Sequence, residues 1–315
     1  MTRDSYRKAL SHLIVVLCGL AVALALVPLA FVLFYVVSQG ISSLSWSFFT
    51  EMPKPVGETG GGMANAVMGS MMVVGIGALF AIPLGIVSGI YASEYAGSRL
   101  AAAVRFAADT LNGVPSIVYG LWGVFVLVPF VRQLQVATPE WLRGFPLFSG
   151  PPLGVGMLSA ALILAIMVIP FSSSVAREVL KSVPQAQREG AYALGATRWE
   201  AIRMALFYAR TGIVGAVMLG FGRALGETMA VTMVIGNNPQ ISWSLFAPQY
   251  TMAAVLANEF TEAADDLYLN ALVEIGLVLF VITLIINVIS RLFIWSMGRQ
   301  RKPRATRTPL VKAAA

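Results

Sequence analysis

One cysteine and one histidine among 315 residues leave almost nothing with which to bind a transition metal or build a disulfide framework. Cys18 lies inside an apolar run and His12 stands just before it, so metal and thiol chemistry are excluded as functions. Charge is scarce too: Asp, Glu, Lys and Arg make up 12% of the chain, where a soluble domain carries about 25%. What fills the space is apolar, with 57% hydrophobic residues and a mean hydropathy of +0.77. A water-soluble globule is thereby ruled out, because apolar runs this long and frequent need hydrocarbon as their solvent.

Six stretches approach the roughly 20 apolar residues that cross about 30 Å of hydrocarbon. They are Leu13 to Val37, Ala66 to Tyr91, Ser116 to Val131, Gly154 to Ser174, Gly212 to Gly236 and Leu267 to Trp295. Lipid cannot satisfy open backbone groups, so each is predicted to be a helix and the fold class is an all-α integral membrane protein. The first run is too long for a secretory signal peptide and lacks its cleavage pattern, so it is expected to remain as an anchor. The expected organisation is a head 1–12, one six-helix domain 13–295 and a basic tail 296–315. Alternation from a cytoplasmic N-terminus leaves Lys54, Arg132 and Arg143 outside, while 18 of the 22 basic residues fall inside. That bias predicts both termini in the cytoplasm, with Glu259, Glu262, Asp265 and Asp266 outside. The net charge of +7 is then topological, and a nucleic-acid partner is rejected because no soluble domain carries a basic face.

The loops differ in kind. Ser38 to Asn65 holds Pro53, Pro55, Gly57 and the run Gly60, Gly61, Gly62, which reads as turn chemistry. It is not a phosphate-cradling nucleotide loop, because Gly62 is followed by Met63, Ala64 and Asn65 and not by Lys and Ser or Thr. No ATP site of its own is therefore expected. Arg132 to Pro152, with Trp141 and several prolines, reads as an outside loop with interfacial aromatics.

Val175 to Arg210 stands apart as a mixed-charge, helix-favouring loop. Pro184 starts one short helix, Gly195 ends it, and Thr197 with Glu200 forms a capping box for a second. Tyr192, Leu194, Trp199 and Ile202 flank the bend as an apolar knob that a second protein could grip. An interfacial hairpin lying on anionic headgroups fits the spacing equally well.

Glu189, Gly190 and Ala191, with Gly195 three residues later, resemble the Glu-Ala-Ala-x3-Gly loop of ABC importer permeases, which inserts a coupling helix into a groove of the ATPase. The resemblance favours docking. The departures are Gly190 in place of alanine, and Ala205, Phe207 and Tyr208 where the family pattern ends Ile-x-Leu-Pro. Ser116 to Gly123 after Pro115, Arg223 to Val231 and Ala257 to Glu262 closely resemble the PstC type of phosphate-importer permease. Phe49 to Pro53 and Gly60 to Ala66 look more like the sister PstA type. The resemblance implies a MetI-like type I ABC importer permease coupled through residues 182–208. Implied partners are a second permease of PstA or PstC type, a PstB-type ATPase dimer and an external PstS-type phosphate-binding protein. The chain would bind no cofactor, ATP and Mg being used by the ATPase, and would catalyse nothing itself.

Arg223 lies near the middle of the fifth run, where a guanidinium costs at least about 2.5 to 3.5 kcal/mol. Glu227, four residues on, is expected on the same helical face. The two either form a structural salt bridge or present opposite charges to one cavity. In the second case Arg223 offers donors to a passing oxyanion, Glu227 weakens its grip so that the anion can leave, and Thr228 adds a hydroxyl. Gly222 and Gly226 have the spacing of close helix packing. Asn112, Pro115 and Ser116 mark a helix break that either lines the inner end of a pathway or is a plain helix start with Pro115 in its first turn. Glu274 is expected to face headgroups at the outer end of the sixth run. Arg223 would suit sulfate or molybdate almost as well on charge alone, so a permease for another oxyanion or solute is the alternative. An intramembrane enzyme fares worse, because the chain has no His-Glu-x-x-His motif.

Overall fold

The computed structural model describes residues 3–55, 58 and 60–299, so Gly57 and residues 300–315 of the expected tail lie outside the described residues. The described chain is helical, with a lone bridge between Gly236 and Gln249. Its helices are α1 (Arg3–Ser43), α2 (Trp46–Thr50), α3 (Ala64–Glu94), α4 (Arg99–Asn112), α5 (Ser116–Trp122), α6 (Val128–Ala137) and α7 (Glu140–Arg143). Then follow α8 (Met157–Lys181), α9 (Gln185–Ala193), α10 (Arg198–Leu225), α11 (Met229–Ile235), α12 (Met252–Glu259) and α13 (Asp266–Arg299). Among the described residues six stretches are long and apolar enough to cross a membrane. The first three contain their expected runs, the fourth starts at Met157 and not Gly154, and the sixth spans Asp266 to Leu292 of a helix that continues to Arg299. The fifth ends at Leu225, so the expected single helix Gly212 to Gly236 is two helices with a break between.

The centre of the bundle is the pair α3 and α8, which run parallel: Gly77, Gly85 and Gly89 of α3 meet Leu164, Ser172 and Ala176 of α8 in turn. Met157, Ile163, Leu164 and Val168 of α8 are fully buried there with Val73 and Ala81 of α3. Glycines on α3 let the backbones approach: a Cβ on Gly85 would stand 2.5 Å from Ser172 Cβ, and one on Gly89 2.5 Å from Ser173 O. The seam of small residues expected at Gly222 and Gly226 is therefore on α3. A Cβ on Gly222 would meet Asn287 only at 3.9 Å, and one on Gly226 only its own backbone, whereas Gly220 faces Ser172 Oγ at 3.0 Å. In lipid no water is expelled when helices meet, so close packing of this kind supplies the contact energy.

The third crossing, Ser116 to Ala137, is continuous but widens into a π turn over Gly123–Leu127. Gly120 and Gly123 sit there against Met233 and Val234 of α11, which the bundle holds as a short buried helix beneath the break. Helix α1 packs chiefly on α13, with Gly40 against Leu277, and the apolar window of its crossing is otherwise unburied. Its helix already starts at Arg3, so residues 3–12 of the expected separate head are the first part of that helix, and residues 1–2 lie outside the described residues.

Candidate functional site

Two interruptions of helix carry the polar residues singled out in the sequence. The first is the elbow between α9 and α10. Gly195 adopts φ +80°, a left-handed conformation open to glycine, and turns the chain. Thr197 then caps α10: its Oγ1 accepts from Glu200 N at 3.4 Å, and Glu200 Oε2 accepts from Thr197 N at 2.7 Å. The expected second short helix is a correction, because α10 runs unbroken for 28 residues from the elbow to Leu225. Ala205, Phe207 and Tyr208 sit inside it, and Ala205 is buried with Leu180 and Val183. Leu194 is 91% exposed and Trp199 67%, with Tyr192 also exposed. Ile202 turns the other way and is 3% exposed, so the apolar knob has three large members and not four.

Sequence reasoning missed what holds the elbow. Glu94, at the end of α3, has its carboxylate buried and ion-paired with Arg188 of α9, which also donates to Leu180 O at 3.2 Å. Arg198 donates to Glu94 O at 2.7 Å and lies 4.0 Å over the Tyr95 ring, which stacks on Tyr91. Arg105 completes the end of α3 by donating to Ala92 O and Ala96 O. Two arginines, Arg105 and Arg198, thus satisfy carbonyls at the C-terminal end of α3, where cations are favoured, and Arg188 does the same at the end of α8 while pairing with the Glu94 carboxylate. The available signal was one acid at the end of a long apolar run. Glu189 and Gly190 lie on the exposed side of α9, while Ala191 is buried toward the bundle.

The second interruption is Gly226 to Thr228. Here α10 stops, and Glu227 Oε1 accepts from Ala230 N at 3.3 Å, satisfying a donor at the start of α11. Arg223 and Glu227 do not share a helical face, because the helix ends between them, and among the described residues they form no ion pair. They separate in depth. Arg223 lies 5.1 Å over the Phe171 ring in the middle of α8. Glu227 lines a cleft of about 10 Å³ with Ser70, Leu164 and Thr251, toward the opposite end of the bundle. Thr228 Oγ1 donates to Gly226 O at 3.4 Å.

The break before α5 meets the same stretch of α8 as Arg223. Asn112 Nδ2 donates to Pro170 O at 3.3 Å and Ser174 Oγ at 3.1 Å, and Tyr119 donates to Leu111 O at 2.9 Å. Pro115 is the residue before α5, not in its first turn, and Ser116 begins the helix. One turn before the break, Asp109 is held by Arg177, whose guanidinium keeps its carboxyl below the ordinary carboxylate range. Glu274 overturns a further expectation: it does not face headgroups but is 6% exposed, on the wall of a 280 Å³ pocket beside Ser45, Lys54 and Tyr268.

The fold is a membrane-spanning bundle with an exposed, capped elbow and a cation in the last turn before a helix break, and the comparisons identify its family. The profile of the binding-protein-dependent transport system inner membrane component family matches residues 81–298, and the chain belongs to that family of ABC transporter permeases. Among curated proteins it is 47% identical to the phosphate transport system permease protein PstC of Mesorhizobium japonicum, over 80% of this chain and 79% of that one. It is 43% identical to the PstC of Haemophilus influenzae, over 84% and 85%, and 42% identical to a probable PstC of Methanocaldococcus jannaschii, over 72% and 73%. Among solved structures, a chain of the inward-facing MetNI methionine ABC transporter superposes with a TM-score of 0.58 at 16% identity. That superposition covers 74% of this chain and 95% of the other, and it supports the MetI-like fold alone.

Proposed function

We propose that the chain is the PstC-type permease subunit of an ATP-driven importer that moves inorganic phosphate across the cytoplasmic (inner) membrane. The observation that carries the reading is Arg223, a guanidinium in mid-bundle over the Phe171 ring of α8, with no carboxylate partner among the described residues. A permanent cation there is expensive unless an anion is to visit it, and its planar fork suits phosphate oxygens. Glu227, on the other side of the break, repels the anion from that side, so the cargo is held by one charge and leaves readily. The Tyr192, Leu194 and Trp199 knob enters a groove of a PstB-type ATPase, which uses ATP and Mg, and Glu94 with Arg188 joins that push to α3. A second permease of PstA or PstC type completes the pathway, and a PstS-type binding protein delivers phosphate from outside.

Affinity purification from detergent tests the assembly: an ATPase and a second permease are expected to co-elute. Arg223→Gln is expected to lower phosphate uptake at least about thirtyfold, the loss of about 2 kcal/mol of charge-assisted binding, while co-purification of the ATPase persists. Normal uptake by that variant would leave Arg223 a structural residue. Competition by sulfate or molybdate for the wild-type complex would identify another oxyanion as cargo.

A further inference from the structure

The polar contacts of α8 lie on one inclined row. Phe171 underlies the Arg223 guanidinium, Ser174 accepts from Asn112, and Arg177 holds Asp109. Six residues of helix separate the first from the last, a rise of about 9 Å. Two guanidinium groups are therefore placed at successive levels along one helix, with the Asn112 amide between them. They differ in one respect. Arg223 has no carboxylate partner among the described residues, whereas Arg177 Nη1 and Nη2 each donate to Asp109 at 3.2 Å.

The Arg177 side chain is 12% exposed and that of Asp109 56%, so water reaches the carboxylate far more than the cation. Ser174 Oγ donates to Asp109 Oδ1 at 3.3 Å and fixes its orientation. Glu178 takes only Arg177 Nε, at 3.3 Å, and is shared with Lys181 at 3.1 Å. The two-pronged face of Arg177, the part that fits an oxyanion, is occupied by Asp109 alone.

We propose that Arg177 is an exit station for the transported anion and that Asp109 is the carboxylate that evicts it. The anion leaving Arg223 takes the Arg177 fork while Asp109 turns into water, and the return of Asp109 releases the anion. Exchange of one oxyanion for another on the same donors keeps the cation satisfied at every stage and avoids the cost of leaving it bare. The proposal rests on the phosphate-permease reading.

The test uses proteoliposomes holding the whole complex, with binding protein outside and ATP inside. Initial uptake of labelled inorganic phosphate is measured against unlabelled inorganic phosphate in the lumen. Asp109→Asn leaves the fork uncontested, so lumenal phosphate is expected to inhibit at about tenfold lower concentration, the scale of one hydrogen bond to a charged group. Adding Arg177→Gln to that variant is expected to abolish the gain. Ser174→Ala, which loosens Asp109 from the fork while keeping both charges, is expected to shift inhibition the same way by a smaller factor. A strut between α4 and α8 would alter assembly or total rate but not sensitivity to lumenal phosphate. Unchanged inhibition in Asp109→Asn overturns the proposal, and if that variant does not assemble, unchanged inhibition in Ser174→Ala overturns it. Arg223 is intact in these variants, so failure here is separable from failure of the parent reading, which Arg223→Gln decides.

Discussion

The elbow at Gly195 and the break at Gly226 to Thr228 both interrupt a helix, yet they are built in opposite ways. The elbow has a left-handed glycine, a reciprocal capping box and two arginines, Arg188 and Arg198, tying it to the end of α3. The break has one carboxylate capping a seven-residue helix, and an arginine resting on an aromatic ring. At the elbow the polar groups are consumed by the protein. At the break the Arg223 guanidinium is left without a carboxylate partner among the described residues, as the proposed anion site requires.

That contrast can be attacked from the elbow side first. Glu94→Ala leaves Arg188 uncompensated against a partly buried site, and loss of one partner of a buried pair costs about 3–5 kcal/mol. Thermal denaturation of the purified complex is expected to fall, and ATPase co-purification to weaken with it. Gly195→Val forces a β-branched residue to positive φ, at about 1–3 kcal/mol of strain. ATP hydrolysis is expected to continue while phosphate uptake drops, read as the ratio of the two rates. Thr197→Ala removes half the capping box and is expected to cost about 1 kcal/mol in the same denaturation assay, with coupling retained.

The smallest effect concerns pH. Because Arg177 holds the Asp109 carboxyl below its ordinary value, the α4 to α8 tie is complete above that ordinary value and is lost only as pH falls through the lowered one. Cross-linking between cysteines placed on the ends of α4 and α8 should therefore be constant between about pH 5 and 8. A change in that window would mean that Asp109 is not bound as described.

The elbow was legible in the sequence because its determinants are local: Pro184, Gly195, Thr197 and Glu200 act within a few residues of themselves. The spans were legible because hydrocarbon thickness dictates their length. The break at Gly226 was not, since Ala-Leu-Gly-Glu-Thr-Met-Ala is compatible with continuous helix, and what ends it is tertiary. Helix α11 is held by Gly120, Gly123 and Ile163 from two other spans. The same limit hid the inward turn of Ile202, the burial of Glu274 and the role of Glu94, each decided by a neighbour far away in the chain.

The ion pair between Glu94 and Arg188 makes the end of α3 and the Gly195 elbow mechanically one piece, and α3 in turn is interlocked with α8 through Gly85 and Gly89. Under the proposed coupling, torque applied at Leu194 would be delivered to the two central helices as by a stiff lever. The stroke of a motor below would then tilt the walls around Arg223 without first being absorbed in slack loop.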